Sequence, residues 1–225
     1  MSQTIVVTGA SRGIGLGLVK AMVSRRHAVI GTVRKDGDAA AVREAGASVE
    51  VVDVGDEGSI KALGARLGGR GIDVLVNNAG MSVSSATMAD VDAEAMVRVF
   101  RVNAVGPLLV TRALLGNLRA GGRRVVVNIS SVMGSIGADA GPGSYIYRTS
   151  KTALNMVNRC LGKELAGEGF CCVVMHPGWV RTDMGGSEAP LSVEESAAGL
   201  AGVIEGLGAK DNGRFLDHAG RGLPW

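Results

Sequence analysis

Short apolar runs alternate with longer helical patterns along almost the whole chain, and this alternation restricts the fold more than any other feature. Apolar strands covered on both faces, joined through helices, pair in parallel with right-handed crossovers. The sequence therefore predicts an α/β fold with a doubly wound, mostly parallel sheet of about seven strands and helices on both faces. The predicted strands are Thr4–Thr8, Ala28–Val33, Ser48–Asp53, Val74–Asn77, Arg124–Ile129, Cys171–His176 and Gly213–Leu216. The predicted helices are Gly13–Ser24, Asp38–Ala45, Glu57–Leu67, Ala93–Leu118, Tyr147–Ala166 and Val193–Gly206.

The domain organisation is predicted to be simple. No Pro- or Ser-rich linker and no internal repeat divides the 225 residues, so residues 1–225 are expected to form one domain. Two loop segments, Ser131–Ser144 and Asp183–Pro190, follow strands. Both should lie at the carboxyl edge of the sheet, where folds of this kind bind their ligands.

Charge and cysteine content exclude several classes of function. The net charge is only +3 and the basic residues are scattered, so no nucleic-acid partner is expected. The three cysteines form neither an even disulfide set nor, with histidine, a metal-ligand spacing. The chain begins without a charged leader and contains no bilayer-length apolar stretch, which predicts a cytoplasmic protein with no membrane span.

A glycine-rich segment, Thr8–Gly15, joins the first strand to the first helix. Gly9 suits a tight turn, Gly13 lets the backbone approach a pyrophosphate, and Gly15 lets the helix pack closely on the sheet. The amino terminus of the helix adds N–H groups and a favourable dipole for phosphate. A plain turn accounts for one glycine but not for three at this spacing. The predicted dinucleotide-binding residues of this loop are Gly9, Ser11, Arg12, Gly13, Ile14 and Gly15.

The second strand ends in Thr32–Lys35, without the carboxylate that usually binds the adenosine ribose of NAD. Arg34, with help from Arg12, could instead hold a 2′-phosphate through its planar fork of donors. Either arginine taken alone would be interpreted as an ordinary surface residue. The pair and the missing acid together favour NADPH/NADP+ over NADH.

The ends of the third and fourth strands supply further candidates. Asp53, next to Val54, could accept from the adenine amine, although an aspartate that ends a strand in a turn is an equal alternative. The small residues and amides of Asn77–Gly80 could pack under a ribose, and on their own they would be read as a turn. The candidates here are Asp53, Val54, Asn78, Ala79 and Gly80.

Tyr147 and Lys151 are four residues apart in a helical segment, which places both on one helix face. Tyrosine normally titrates near pH 10, and a nearby ammonium is expected to lower the pKa of the phenol. This makes Tyr147 a candidate general acid. The alternative is that the two residues share a helix face by chance. The assignment therefore needs support from further candidate catalytic residues.

Ser131 closes the fifth strand and could donate to a substrate oxygen as negative charge develops there. Ser130 is disfavoured, since alternation along the strand turns it to the opposite face. Asn103 precedes Pro107 by four residues, and that proline leaves the carbonyl of Asn103 without a helical partner. The carbonyl could hold a water that relays protons to Lys151, and a helix kink with a buried amide is an equal alternative.

Taken together, these elements resemble the short-chain dehydrogenase/reductase family. They occur in family order: Thr8–Gly15, Asp53, Asn77–Gly80, Asn103, Ser131, Tyr147 with Lys151, and Pro177-Gly178. The resemblance implies a Rossmann fold that binds NAD(P). It also implies Tyr147 as general acid/base, Lys151 as ribose anchor and pKa modifier, Ser131 as carbonyl orienter and Asn103 as support for the relay.

A further resemblance, to the C-factor and sniffer-like carbonyl reductases, covers Asn128–Gly137, Tyr145–Asn155, His176–Gly186 and Leu223–Trp225. It implies homo-oligomers, dimers or tetramers, formed through two long helices. It also implies that Pro177, Gly178, Val180 and Thr182 belong to the cofactor site, the last two at the nicotinamide end.

The resulting hypothesis is an NADPH-dependent oxidoreductase that reduces a small, hydrophobic aldehyde or ketone to an alcohol. Besides Ser131, the predicted substrate residues are Met133, Tyr145, Trp179 and Met184. Two alternatives remain open: a cofactor-binding intercellular or developmental signalling protein of the C-factor type with little turnover, and an NAD-dependent alcohol dehydrogenase.

Overall fold

Seven parallel strands form a single sheet in the computed structural model, which describes residues 2–138 and 141–225. The order across the sheet is β3-β2-β1-β4-β5-β6-β7, and every neighbouring pair is parallel. The chain reverses its winding direction between β1 and β4. The predicted α/β class, double winding and strand number are confirmed. The strands are β1 (Thr4–Val7), β2 (Ala28–Val33), β3 (Ser48–Val51), β4 (Val74–Asn77), β5 (Val125–Ile129), β6 (Cys171–His176) and β7 (Phe215–Asp217).

Helices cover both faces of the sheet, as the apolar character of the strands predicted. In β1, Ile5 and Val7 belong to the apolar cluster under α1 and α8, whereas Val6 faces the cluster under α3, α5, α6 and α7. None of the described helices is long and apolar enough to cross a membrane. The α-helices are α1 (Gly13–Ser24), α2 (Ala40–Glu44), α3 (Glu57–Leu67), α4 (Ala93–Phe100), α5 (Gly106–Ala113), α6 (Leu115–Ala120), α7 (Tyr145–Glu164) and α8 (Val193–Gly206).

The predicted single helix over Ala93–Leu118 was wrong, because a π-helical turn, Arg101–Val105, separates α4 from α5. The N–H of Gly106 bonds to the carbonyl of Arg101, five residues earlier. Pro107 then lies in the first turn of α5, where a missing N–H costs no helical bond. The turn carries Asn103 into the interior, where it is fully buried.

Several other predicted boundaries moved. Asp38–Ala45 divides into a 3₁₀ turn, Asp36–Asp38, and the short α2, since the N–H of Ala39 bonds to the carbonyl of Asp36. The last strand starts at Phe215 rather than Gly213, because Gly213 takes a positive φ in the preceding turn. Helix α7 begins at Tyr145, two residues before the predicted start. The predicted loop over Ser131–Ser144 contains a 3₁₀ turn, Val132–Gly134. Residues 139 and 140 of that loop lie outside the described part.

Candidate active site

A cleft of about 870 Å³ opens at the carboxyl edge of the sheet, beside the point where the winding reverses. Gly178 and Val180 are the two predicted cofactor residues that do not line it, and Val180 is instead buried beside Leu191. The predicted cofactor residues that line the cleft are Gly9, Ser11, Arg12, Gly13, Ile14, Gly15, Arg34, Asp53, Val54, Asn78, Ala79, Gly80, Tyr147, Lys151, Pro177 and Thr182.

The glycine loop is tied to the end of β4 through main-chain and amide contacts. Gly9 has a φ of 66°, and a Cβ there would lie 2.8 Å from the Cα of Ala79. The Nδ2 of Asn78 donates to the carbonyls of Thr8 and Gly9 at 2.9 and 3.1 Å. A Cβ on Gly15 would collide with the carbonyl of Gly9. Glycine is therefore required at both positions for the loop to lie this close to its neighbours.

The amino terminus of α1 faces the cleft and fits an anionic group. Within the described residues no side chain caps this helix, and its first turn carries no acid. Uncapped N–H groups and the helix dipole favour phosphate at such a terminus. The size of the cleft and the glycine cradle at its floor fit a dinucleotide.

Two arginines lie at the cleft, in different situations. Arg34 is exposed directly after β2 and lines the cleft. Arg12 forms an ion pair with Asp183, which belongs to the loop after β6. Both side chains of that pair are mostly exposed, so the pair is worth at most about 1 kcal/mol and Arg12 is easily released. Asp38 also lines the cleft, four residues after Arg34.

The position of Asp53 fits both of the roles that the sequence left open, which were shaping a turn and accepting a hydrogen bond from the adenine amine. Its Oδ1 accepts the N–H of Gly55 at 2.8 Å, as expected for an aspartate that shapes a turn. It also lines the cleft and is exposed there, so it can still accept from a ligand.

Ser131 lies near Tyr147, which lines the cleft, although Ser131 does not line the cleft itself. The Oγ of Ser131 accepts the N–H of Met133 at 3.1 Å, and its hydroxyl lies near enough to Tyr147 to lower the pKa of the phenol. The neighbouring Ser130 lines the cleft, and its hydroxyl donates to the Oδ1 of Asn155 at 2.8 Å. The choice of Ser131 over Ser130 stays a prediction.

Lys151 is buried on the same helix face as Tyr147, with its Nζ 5.7 Å from the centre of the Tyr147 ring. The Nζ donates to the carbonyl of Ile129 at 2.8 Å. Burial lowers the pKa of Lys151 to about 8. A group held at the end of β5 in this way is fixed in one orientation on the floor of the cleft.

The expectation that Lys151 lowers the pKa of Tyr147 was wrong for this arrangement. Burial raises the pKa of Tyr147 to about 12, and the nearby Ser131 hydroxyl only partly offsets that effect. The Lys151 ammonium, whose Nζ donates to the Ile129 carbonyl, makes no contribution to this shift in the pKa of Tyr147.

Asn103 is held by three hydrogen bonds of its side-chain amide. Its Oδ1 accepts the N–H of Met81 at 2.9 Å, and its Nδ2 donates to the Met81 carbonyl and to Ser150, at 2.8 and 3.0 Å. Ser150 in turn donates to the carbonyl of Tyr147 at 2.7 Å. The buried amide thus joins the segment after β4 to the start of α7. The water relay through its carbonyl stays a prediction.

Sequence reasoning missed the residue that caps the catalytic helix. Ser85 is buried, and its Oγ accepts the N–H of Ile146 at 3.1 Å in the first turn of α7. This cap comes from a loop about sixty positions earlier in the chain, so no local pattern identifies it. The charge partner of Arg12, Asp183, was missed for the same reason.

The predicted substrate residues do not form one enclosed pocket. Of Met133, Tyr145, Trp179 and Met184, only Met184 lines the cleft. Tyr145 and Trp179 are 44% and 55% exposed, and the indole N–H of Trp179 donates to Gly185. The substrate side of the site is therefore open to solvent.

The sheet order, the glycine turn and the Ser131–Tyr147–Lys151 set define a dinucleotide-binding oxidoreductase. The family model for short chain dehydrogenases matches residues 3–190. The chain belongs to the short-chain dehydrogenase/reductase family.

Three relatives show where in this family the chain lies. The C-signal protein of Myxococcus xanthus is 48% identical over 154 residues, which cover 68% of this chain and 93% of that protein. The carbonyl reductase Sniffer of D. melanogaster superposes with a TM-score of 0.94, 33% identity and full coverage of both chains. An NADPH-bound carbonyl reductase from chicken fatty liver gives a TM-score of 0.91 at 33% identity, covering 100% of this chain and 99% of the other. The chain thus has both C-factor and sniffer-like relatives.

The burial of Lys151 predicts a pH-dependent stability. Because its pKa of about 8 lies below the ordinary value of 10.5, the cost of burying the ammonium is fully present below pH 8. That cost declines as the pH rises toward 10.5. The difference in unfolding free energy between Lys151→Met and wild type should therefore shift by about 1–3 kcal/mol between pH 7 and pH 10, in favour of wild type. Urea denaturation at both pH values measures it.

The exposed Lys163, on the same helix, supplies the matched control. The difference between Lys163→Met and wild type should stay the same at both pH values. An equally constant difference for Lys151→Met would show that the ammonium is not desolvated.

Proposed function

We propose that this protein is an NADPH-dependent reductase that converts a small aldehyde or ketone to an alcohol. The observation that carries the proposal is the placement of Tyr147 and Lys151, on one helix face and 5.7 Å apart from Nζ to ring centre, in the lining of a dinucleotide-sized cleft, with Ser131 beside Tyr147. The solved carbonyl reductases that resemble this chain at full length support the same reaction.

The chain's own residues would bind the cofactor and handle the proton. The glycine loop and the amino terminus of α1 would hold its pyrophosphate, and Asn78–Gly80, Lys151 and Thr182 would hold its nicotinamide half. The bound nicotinamide would supply the hydride. Ser131 would orient the carbonyl oxygen of the substrate by donating a hydrogen bond, the kind of contact that strengthens as negative charge develops.

The high pKa of Tyr147 is consistent with a role as proton donor. A phenol with a pKa of about 12 stays protonated at neutral pH. An alkoxide is more basic than this phenolate, so transfer of the proton to the developing alkoxide is favourable.

NADPH is the proposed cofactor because Arg34 lies at the end of β2, where an acid would favour NADH. Arg12 is released from Asp183 at little cost and can add a second donor for the 2′-phosphate. The NADPH-bound relative agrees with this choice.

We also propose a homo-oligomer, a dimer or tetramer. Val97 on α4, Val105 in the π turn and Met156 on α7 are all large, apolar and exposed. An open apolar depression of about 460 Å³ lies beside the first two. A second copy of the chain could cover this surface.

A second candidate function rests on the likeness to the C-signal protein. This chain could act as a cofactor-binding signalling protein in which turnover is slow or absent. Measuring catalytic turnover distinguishes the two functions, because only the reductase requires the Tyr147 hydroxyl.

Tyr147→Phe is expected to lower the kcat for carbonyl reduction by about 10²–10⁴-fold, since it removes the proton donor. The dissociation constant for NADPH should stay close to that of wild type. Stopped-flow turnover and fluorescence titration measure the two quantities. Tyr145→Phe, two residues away and exposed, is the matched control and should leave both unchanged. Unchanged turnover in Tyr147→Phe would reject the mechanism.

Arg34→Ala is expected to weaken NADPH binding by about 10–100-fold and to leave NADH binding unchanged, because only the 2′-phosphate needs the guanidinium. Calorimetric titration with both nucleotides measures this. Arg43→Ala is the control, since Arg43 pairs with Asp36 and does not line the cleft. Equal losses for NADPH and NADH, or a specific loss of NADH in Asp38→Asn, would contradict the cofactor assignment.

A further inference from the structure

Three buried asparagine side chains, here called the amide row, form a continuous chain of hydrogen bonds from β4 through β5 to α7. The Nδ2 of Asn77 donates to the Oδ1 of Asn128 at 2.9 Å, and the Nδ2 of Asn128 donates to the Oδ1 of Asn158 at 2.9 Å. The Nδ2 of Asn158 donates in turn to the carbonyl of Cys172 on β6, at 3.2 Å. Asn77 is 2% exposed and the other two asparagines are fully buried. The row therefore ties three neighbouring strands to the catalytic helix.

The direction of the amide row is fixed, and it carries a cost. A main-chain carbonyl can only accept, so Asn158 must direct its Nδ2 to Cys172, and the two amides before it must take the same orientation. The Oδ1 of Asn77 is left at the end of the row. Within residues 2–138 and 141–225, no donor reaches that buried oxygen. Since an unpaired buried acceptor lowers stability, a gain in stability does not explain the row.

The surroundings of the amide row would suit apolar side chains. Val126 on β5 and Leu161 on α7 belong to the apolar cluster on this face of the sheet. Buried amides there exchange hydrogen bonds with water for hydrogen bonds with one another, which gives a small net gain. Apolar packing tolerates small shifts between a helix and a sheet, whereas a hydrogen bond fixes distance and direction. The expected contribution of the row is therefore geometric.

The amide row meets the catalytic helix next to the contact that holds Lys151. Asn128 is followed in β5 by Ile129, whose carbonyl accepts from the Nζ of Lys151 at 2.8 Å. Asn158 lies about two turns after Lys151 on α7. Two adjacent residues of one strand thus bind two points of the catalytic helix. Together these two contacts determine how far α7 extends along β5.

Another bond between the same two segments keeps α7 on the sheet independently of the amide row. The hydroxyl of Ser130, directly after β5, donates to the Oδ1 of Asn155 on α7 at 2.8 Å. The Nδ2 of Asn155 donates to the carbonyl of Gly134 at 3.1 Å. The helix therefore stays attached when the row is cut, and only its exact position along the strand depends on the row.

We infer that Asn128 and Asn158 are positioning residues for the catalytic pair: their hydrogen bond sets the depth at which α7 presents Tyr147 and Lys151 to the cleft. The inference rests on the proposed reductase function and adds to it two residues that do not line the cleft. A shift of about 1 Å between reacting groups slows catalysis steeply, while binding tolerates it. Loss of the bond should therefore lower kcat more than it changes KM.

The test removes the bond without leaving either partner unpaired. In Asn128→Val/Asn158→Leu, the valine suits a strand and the leucine suits a helix. The kcat per NADPH-binding site should fall about tenfold or more, and the KM for the carbonyl should stay within about twofold. Stopped-flow turnover measures both, with the binding sites counted by fluorescence titration.

The double variant should unfold at a urea concentration no lower than that of wild type, because both ends of the amide row keep another partner. The Nδ2 of Asn77 still has the hydroxyl oxygen of Thr111 as an acceptor, at 3.2 Å. The Cys172 carbonyl still accepts the N–H of Gly213 at 2.9 Å. Replacing both partners of a buried polar pair by apolar groups is often neutral or stabilising.

Asn158→Asp is the conservative variant and should show the opposite pattern. It has the same shape and keeps an oxygen that accepts from Asn128, so its kcat should stay within about twofold of wild type. Its urea midpoint should fall, because a buried carboxyl is costly.

Asn117→Leu is the matched control on the other edge of the sheet. Asn117 is also buried, and its Nδ2 donates to the carbonyls of Gly68 and Arg70, which precede β4. This variant should lose stability and keep the kcat of wild type.

Three results would overturn the inference and leave the reductase proposal standing. The first is a wild-type kcat in the double variant. The second is a double variant that no longer folds, because the amide row would then be needed for stability. The third is a loss of kcat in Asn158→Asp or Asn117→Leu as large as that in the double variant. A wild-type protein that binds NADPH and reduces no carbonyl would instead overturn the reductase proposal and this inference with it.

Discussion

The rest of the site depends on the hydrogen bonds that join the glycine loop after β1 to the residues at the end of β4. The Oγ1 of Thr8 accepts the N–H groups of Asn78 and Ala79, both at 3.0 Å, while Asn78 donates back to the carbonyls of Thr8 and Gly9. This exchange joins the two halves of the sheet where the winding reverses. It fixes the glycine loop relative to the segment that leads, through Met81 and Asn103, to the catalytic helix.

Desolvation is the main cost of this arrangement. Lys151 and Asn103 are buried, and Tyr147 is partly so. Burial shifts the pKa values of the lysine and the tyrosine toward their neutral forms. The two buried groups are retained because each has a fixed partner: Ile129 for Lys151, and Met81 and Ser150 for Asn103. A site with such fixed partners orients its donors before the substrate arrives, at the expense of stability.

Much of the fold and part of the site could be predicted from the sequence, because both depend on local patterns. Alternation of apolar runs and helical segments predicted the sheet, and the spacing of Tyr147 and Lys151 predicted their common helix face. The π turn could not be predicted, since it depends on how α4 and α5 pack rather than on Pro107 alone. The pKa of Tyr147 was mispredicted because the spacing of two residues gives their proximity and says nothing of how far burial desolvates the phenol.

Contacts between distant parts of the chain were also beyond a sequence pattern. Ser85 at the start of α7 and Asp183 opposite Arg12 belong to loops that the fold brings together. The same holds for Trp225, whose main-chain oxygen accepts the N–H of Gly137. Neither type of contact leaves a signature in residue type or spacing.

The central claim is that this site reduces a carbonyl with NADPH, and a direct product measurement tests it. The purified protein would be loaded with NADPH, mixed with a panel of hydrophobic aldehydes and ketones, and assayed for NADP+ and alcohol. The account predicts that both products form in equal amounts, and faster with NADPH than with NADH. Tight NADPH binding with no alcohol from any member of the panel would contradict it and favour the signalling function.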